Sequence, residues 1–185
     1  AFAAVAITFT STAVAQQQQR MAPSSSNHIA LEQYLDWEDV QNPQLSPDGT
    51  QILFSRRWVD KMNDRWESSV WLMNADGTHQ RSLVQGSDPH WSPDGKRIAY
   101  VAKGEPSGQQ VFVRWMDAEG AVTQISHVTE SPSGLEWAPD GKLWVVEMGD
   151  YPLGIDGKNK PGGRVRFLED TDGDGRYDKS TIFLE

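Results

Sequence analysis

The chain has 185 residues, with 17 Lys and Arg against 26 Asp and Glu, a formal charge of −9 and no cysteine. That length suffices for roughly one domain with its own core, and 37% hydrophobic residues with 16 Gly exclude a disordered chain. The acidic balance excludes a nucleic-acid face, while the missing cysteines exclude a disulfide frame, a thiolate zinc site and a Cys nucleophile.

Ala1 to Ala15 is uncharged, apolar and rich in small residues, and it closes on Ala13-Val14-Ala15. Residues 1–15 therefore predict an export signal with a truncated start and a periplasmic or secreted mature chain. The stretch is shorter than the about 20 apolar residues of a membrane-spanning helix, so no stable span is expected once it is removed. Residues 16–28 are rich in Gln, Ser and Pro and read as a disordered linker. Ile29 to Asp36 then predicts one short helix capped by Asn27, with Ile29, Leu31 and Leu35 as its apolar contacts.

Internal repetition dominates the remainder of the chain. Ser46-Pro47-Asp48-Gly49 returns as Ser92-Pro93-Asp94-Gly95 and as Ala138-Pro139-Asp140-Gly141, at intervals of 46 residues. Pro presets φ at the first corner, Asp bonds its own backbone and Gly takes positive φ, so each string predicts a turn. Alternating strand patterns come after each turn, at Gln51 to Phe54, Arg97 to Val101 and Leu143 to Val146. Further hairpin patterns lie at Val70 to Met73 with Arg81 to Val84, Val111 to Met116 with Val122 to Ile125, and Arg164 to Leu168 with Thr181 to Leu184. About four short strands in each 40–50 residues is the period of a propeller blade. The expected fold is all-β: a partial β-propeller of about three four-stranded blades behind the signal and the short helix. Eight Trp suit the packing between blades.

Two family resemblances divide the chain. Pro43-x-Leu45-Ser46-Pro47-Asp48-Gly49, with Trp71-Leu72-Met73-Asn74-Ala75-Asp76-Gly77, resembles the TolB-type propeller repeat. Ile29-Ala30-Leu31-Glu32-Gln33-Tyr34, the stretch Phe54 to Trp66, and Gly104-Glu105-Pro106-Ser107-Gly108 resemble secreted peptidases of the prolyl-oligopeptidase family. This likeness covers about residues 29–137, blades one and two with the start of the third. It implies a propeller that restricts access to an α/β-hydrolase domain. From Trp144 to Pro152 and from Gly162 to Asp170 the wording changes. Residues of about 138–185, the third blade, are similar to the propeller of exported bacterial membrane-bound dehydrogenase-like proteins of the quinoprotein and haem c type. The two likenesses meet near Pro139 to Lys142, by natural fusion or by a faulty join.

No G-x-S-x-G elbow occurs in the chain, so no peptidase catalytic residue is assigned, and no C-x-x-C-H occurs, so no haem is expected. His28, His79, His90 and His127 have no elbow serine to join, and His90 reads as structural. One motif carries metal chemistry. Asp170, Asp172 and Asp174, with Gly175, fit the first positions of a calcium loop, with the carbonyl of Arg176 at position 7 and Asp178 at position 9. Thr181 stands where the bidentate Glu belongs, so weak calcium binding that pins an outer hairpin is one expectation and a bare Asp/Gly turn the other. The long segment Gly149 to Gly163 reads as a solvated insertion, with ligand contact as the alternative.

The function expected on these grounds is a non-catalytic propeller of an exported peptidase-like protein, gating or recognising a peptide or protein ligand at the propeller face. A calcium-binding, quinoprotein-like sugar or alcohol dehydrogenase propeller and a TolB-like protein-binding scaffold are the alternatives.

Overall fold

The computed structural model describes residues 29–117, 119–128, 131–148, 162–174 and 176–184. The expected signal, the linker, the Asn27 cap and most of the Gly149–Gly163 segment lie outside these residues.

The helix is shorter than expected. α1 covers Leu31–Tyr34 only, and its N-cap is Ala30, whose amide donates to Gln33 Oε1 at 2.9 Å. A single turn cannot sustain itself without packing. Ile29 and Leu35, expected as apolar contacts, are 62% and 46% exposed.

Twelve strands come next. The first sheet holds β1 (Glu38–Leu45), β2 (Gln51–Asp60), β3 (Arg65–Asn74) and β4 (Arg81–Gln85). The second holds β5 (Ser87–Trp91), β6 (Arg97–Lys103), β7 (Gln109–Trp115) and β8 (Val122–Gln124). The third holds β9 (Pro132–Trp137), β10 (Leu143–Met148), β11 (Gly163–Glu169) and β12 (Lys179–Leu184). Every sheet is an antiparallel meander in chain order. The first strands β1, β5 and β9 touch one another in succession, and the sheets stand side by side as three blades, as the repeat predicts.

Each repeated corner closes the first hairpin of a blade. In the second blade the Ser92 amide donates to the Arg97 carbonyl and the Gly95 amide to the Ser92 carbonyl, both at 2.9 Å. Ser92 Oγ accepts the Arg97 amide at 2.9 Å and lies 2.6 Å from Asp94 Oδ1, and Ser46, Asp48 and Gln51 repeat the pattern. The third corner is contracted. Its strand partners are Trp137 and Leu143, against Leu45 with Ile52 and Trp91 with Ile98, so residues 138–142 span what 46–51 and 92–97 span elsewhere. A one-residue slip flips every side chain of a strand to the other face. Here the shorter turn and the phase of Leu143-Trp144-Val145-Val146 shift together, and the apolar faces are kept.

Those faces make two cores. Leu53, Val70 and Leu72 of the first blade pack on Trp91, Ile98 and Tyr100 of the second. Ala99, Val101, Val111 and Val113, on the opposite face of the second blade, pack on Leu135, Trp137, Leu143, Val145 and Leu168 of the third. Fully burying one such side chain stabilises by about 1.5–3 kcal/mol.

A second repeating device was not read from the sequence. The first strand of every blade carries a bulge, and Asn42, Asp88 and Gly134, 46 residues apart, sit there at φ 50°, 52° and 58°. Asn, Asp and Gly are the residues that tolerate this left-handed conformation. The signal was available in Asn42-Pro43 and Asp88-Pro89, each four residues ahead of its corner serine.

Candidate functional site

The Asp/Gly loop joins β11 to β12 and lies against the second blade. Asp170, Asp172 and Asp174 come together, with one carboxylate oxygen of each within 4.8 Å of the others. Asp178 does not join that group: its oxygens accept the Thr171 amide at 3.0 Å and the Thr171 hydroxyl at 2.5 Å, and that hydroxyl holds its carboxyl below the usual range. The Gly173 amide donates to Asp170 and the Asp174 amide to Asp172, while the exposed Arg176 donates its amide to Asp174. These are side-chain-to-backbone turn bonds, of the kind that stabilise Asx turns.

Like-charge repulsion is weaker here than the bare sequence implies, because the protein supplies cations. Glu169 lies 2.9 Å from Lys179 and 3.7 Å from Lys142. Asp170 lies 3.8 Å from Arg97 of the second blade, and both side chains are only 13% exposed. The Arg97 guanidinium sits 5.2 Å from the Trp115 ring centre, 5.4 Å from Trp137 and 5.9 Å from Tyr177. Tyr177, from the same loop, reaches the Gly141 carbonyl with its hydroxyl at 3.3 Å, and burial pushes that hydroxyl well above the ordinary tyrosine range. An aromatic-lined cation between two blades thus docks the loop, and no spacing rule in the sequence marks Arg97 for that place.

His90 has partners after all. Its Nε2 is 3.0 Å from Asp88 and its Nδ1 is 3.3 Å from the amide of Gln44. Asn42 donates to Asp88 at 2.9 Å, and Trp137 Nε1 donates to the His90 carbonyl at 3.1 Å. The cluster ties first strands of successive blades at the repeat spacing, which is a structural role.

At the end of the blades opposite the corner turns, a cleft of about 620 Å³ opens between the first and second blades. Trp58, Asp60, Arg65, Trp66, Gln85 and Lys103 are among its lining residues. Arg57 stacks over Trp66, 4.0 Å from the ring centre, and Arg65 pairs with Glu67 at 2.7 Å. Ser68 at its wall has a buried hydroxyl without a protein hydrogen-bond partner. Aromatic surface beside a few charged side chains is a lining that ligand clefts commonly have. The sequence pointed to the propeller face in general, not to this cleft.

The fold and its faces define a partial propeller, and comparison with known proteins gives it relatives. Residues 125–185 match a family described as a domain of unknown function, DUF7133. An uncharacterized peptidase, YuxL of Bacillus subtilis (strain 168), is 30% identical over 120 residues, 60% of this chain and 18% of that protein. Dipeptidyl-peptidase 5 of Porphyromonas endodontalis is 26% identical over 141 residues, 74% of this chain and 20% of that protein. Among solved structures, the acylaminoacyl peptidase of Pyrococcus horikoshii superposes with a TM-score of 0.61 at 16% identity, over 83% of this chain and 26% of its own. The β-propeller domain of the Trilobed protease from Pyrococcus furiosus gives 0.59 at 17% identity, over 82% of this chain and 45% of that domain.

The chain therefore resembles the propeller of prolyl-oligopeptidase-family peptidases, and it spans about a fifth of the length of the curated relatives it matches. The dehydrogenase likeness of residues 138–185 has no support in these relatives. Those residues fall inside the DUF7133 match, which begins ahead of the expected junction at Pro139 to Lys142.

Proposed function

We propose that this chain is the propeller module of an exported peptidase-like protein and that it recognises and admits peptides. The observation that carries the reading is the match to peptidases over residues that fold here as propeller blades. Within it, the cleft between the first and second blades is the peptide-binding face: Trp58 and Trp66 offer apolar surface, and Asp60, Arg65 and Lys103 offer charge for termini and side chains. Titrating short peptides against the chain's tryptophan fluorescence tests this. Saturable binding that Trp66→Ala weakens about tenfold or more, the worth of one buried contact of about 1.4 kcal/mol, is the expected result. No binding, or binding indifferent to that change, retires the cleft. A proline-containing chromogenic peptide should not be turned over.

The same reading gives the Asp170–Asp178 loop a weak calcium ion as an outer clamp on the third blade. The approach of three carboxylates supports it. Millimolar calcium should raise the melting temperature, and Asp172→Asn with Asp174→Asn should remove the rise. An unchanged melting temperature leaves the loop as a hydrogen-bonded turn.

A further inference from the structure

The seam between the second and third blades changes character along its length. Toward the corner turns it is apolar, with Leu135, Trp137, Leu143, Val145 and Leu168 packed on the second blade. Farther along, the same face of the third blade turns to charge. Glu147 is 8% exposed; its Oε1 lies 3.0 Å from Nε of Arg166, and its Oε2 accepts from Nη2 at 3.4 Å. Nη1 of Arg166 donates to the Ser180 hydroxyl at 2.8 Å. The preceding seam shows that the fold needs no charge here. Leu143 opposes Trp137 as Ile98 opposes Trp91, and Val145 opposes Arg166 as Tyr100 opposes Phe112. Glu147 therefore takes the place of Ala102, and Arg166 that of Phe112. Ala102 and Phe112 pack on the core between the first and second blades, with the Phe112 ring stacked on Tyr100 at 5.7 Å. In the later seam that ring is replaced, and a cavity of about 280 Å³ lies against the ion pair. Its other walls include the aliphatic side chains of Ile125, Val128, Val145 and Leu168.

The pair is also imperfectly made. Nε of Arg166 is buried and has no hydrogen-bond partner among the described residues, in spite of the Glu147 oxygen 3.0 Å away. The guanidinium thus meets the carboxylate off the parallel fork that makes such pairs strong. Desolvating two charges is offset only by good geometry and full hydrogen bonding, and well-packed apolar residues in their place are often as stable or more so. We propose that this cavity binds an aliphatic α-amino acid. Its carboxylate would sit on Arg166 and the Ser180 hydroxyl, its ammonium on Glu147, and its side chain among Ile125, Val145 and Leu168. The two protein charges touch, so the two ligand charges must lie equally close, as they do on one α-carbon and not at the ends of a dipeptide. The cavity is at the lower end of the about 300–1,000 Å³ of ligand sites, which fits a single amino acid. It lies in a different seam from the peptide cleft and does not rest on that reading.

Isothermal titration calorimetry of the purified chain with leucine tests the inference. Saturable binding is expected. It should weaken about tenfold or more for leucinamide, which lacks the carboxylate, and for N-acetylleucine, which lacks the ammonium. Glu147→Ala together with Arg166→Phe, the pair of the preceding seam, should abolish binding with the chain still folded, since that packing is one the fold already uses. Glu147→Gln keeps the shape and removes the charge. It should weaken leucine about tenfold or more with an unchanged circular dichroism spectrum, and it decides the matter should the double variant not fold. No saturable binding of leucine up to millimolar concentration, equal affinity for either blocked derivative, or binding that Glu147→Gln leaves intact overturns the proposal.

Discussion

Ser92 is fully buried at its corner, and its Oγ both accepts the part-buried Arg97 amide and contacts the exposed Asp94 carboxylate, so it ties the two sides of the turn together. Ser92→Ala strands that amide, which costs about 1–3 kcal/mol, and a lower urea midpoint with an unchanged slope is the expected readout. The same bonds set a pH dependence. Burial works to raise the Asp94 carboxyl, but the Ser92 hydroxyl, the Lys96 amide and the Arg97 charge together outweigh it, and the group sits below its ordinary value. A depressed carboxyl gives stability that is complete above the unfolded pKa, about 3.9, and is lost as pH falls through the folded one. Acid unfolding should therefore begin below pH of about 4, and Ser92→Ala should flatten the curve there. Tyr100 works at the opposite end. Burial pushes its hydroxyl up to about 12, so its contribution is complete below the ordinary tyrosine value and disappears as pH rises toward that figure.

Arg97 joins the second and third blades directly, since its charge meets three rings and Asp170 in a largely buried space. Desolvated cation–π contacts are worth about 2 kcal/mol, and removing one member of a buried pair leaves the other uncompensated. Arg97→Ala should destabilise the chain by about 3 kcal/mol. Arg97→Lys should recover part of that, because a point charge keeps the attraction but not the flat stacking. Thermal unfolding of both variants measures the difference.

At the scale of the hairpin, the contracted third corner makes an asymmetric prediction. Inserting one residue between Lys142 and Leu143 lengthens residues 138–142 to the size of the other two corners and leaves Leu143 opposite Trp137. That insertion should be tolerated within about 1 kcal/mol, as added loop length costs little. Inserting one residue between Trp144 and Val145 instead turns Val145 and Glu147 to the wrong face and should unfold the third blade. Proteolysis after β9 distinguishes the two outcomes.

These same elements show how far the sequence could be read. The corner strings and the alternating segments after them were legible because turn residues act locally, through φ and short-range bonds. Hence the strands fall where the pattern placed them. The contraction at residues 138–142 was not legible: equal spacing of the Pro-Asp-Gly strings hides a shift that shows only in strand pairing. The short helix was over-read, because apolar residues at Ile29 and Leu35 suggested a buried stripe and both stay largely exposed. In the Asp/Gly loop the convergence of Asp170, Asp172 and Asp174 followed from their alternation, whereas Arg97 and Tyr177 are joined to the loop only by packing between blades.

For the molecule as a whole, stability should track the order of the blades. In a row of repeats each unit is stabilised by its own fold and by the neighbours it touches. Among the described residues, the second blade has a sheet packed on each face, with Leu53, Val70 and Leu72 on one side and Leu135, Trp137 and Leu143 on the other. Its central strands carry Ile98, Ala99, Val111 and Val113, none more than 1% exposed. Amide exchange should therefore be slowest in β6 and β7, and faster in β2, β3, β10 and β11, which among the described residues pack on a neighbouring sheet by one face. Strengthening a single interface should then slow exchange on both sides of it, and weakening Arg97 should speed the third blade while sparing the first. Equal protection in all three sheets, or a first blade that loosens with Arg97→Ala, would show that the row unfolds as one unit and that neighbour contacts do not set its local stability.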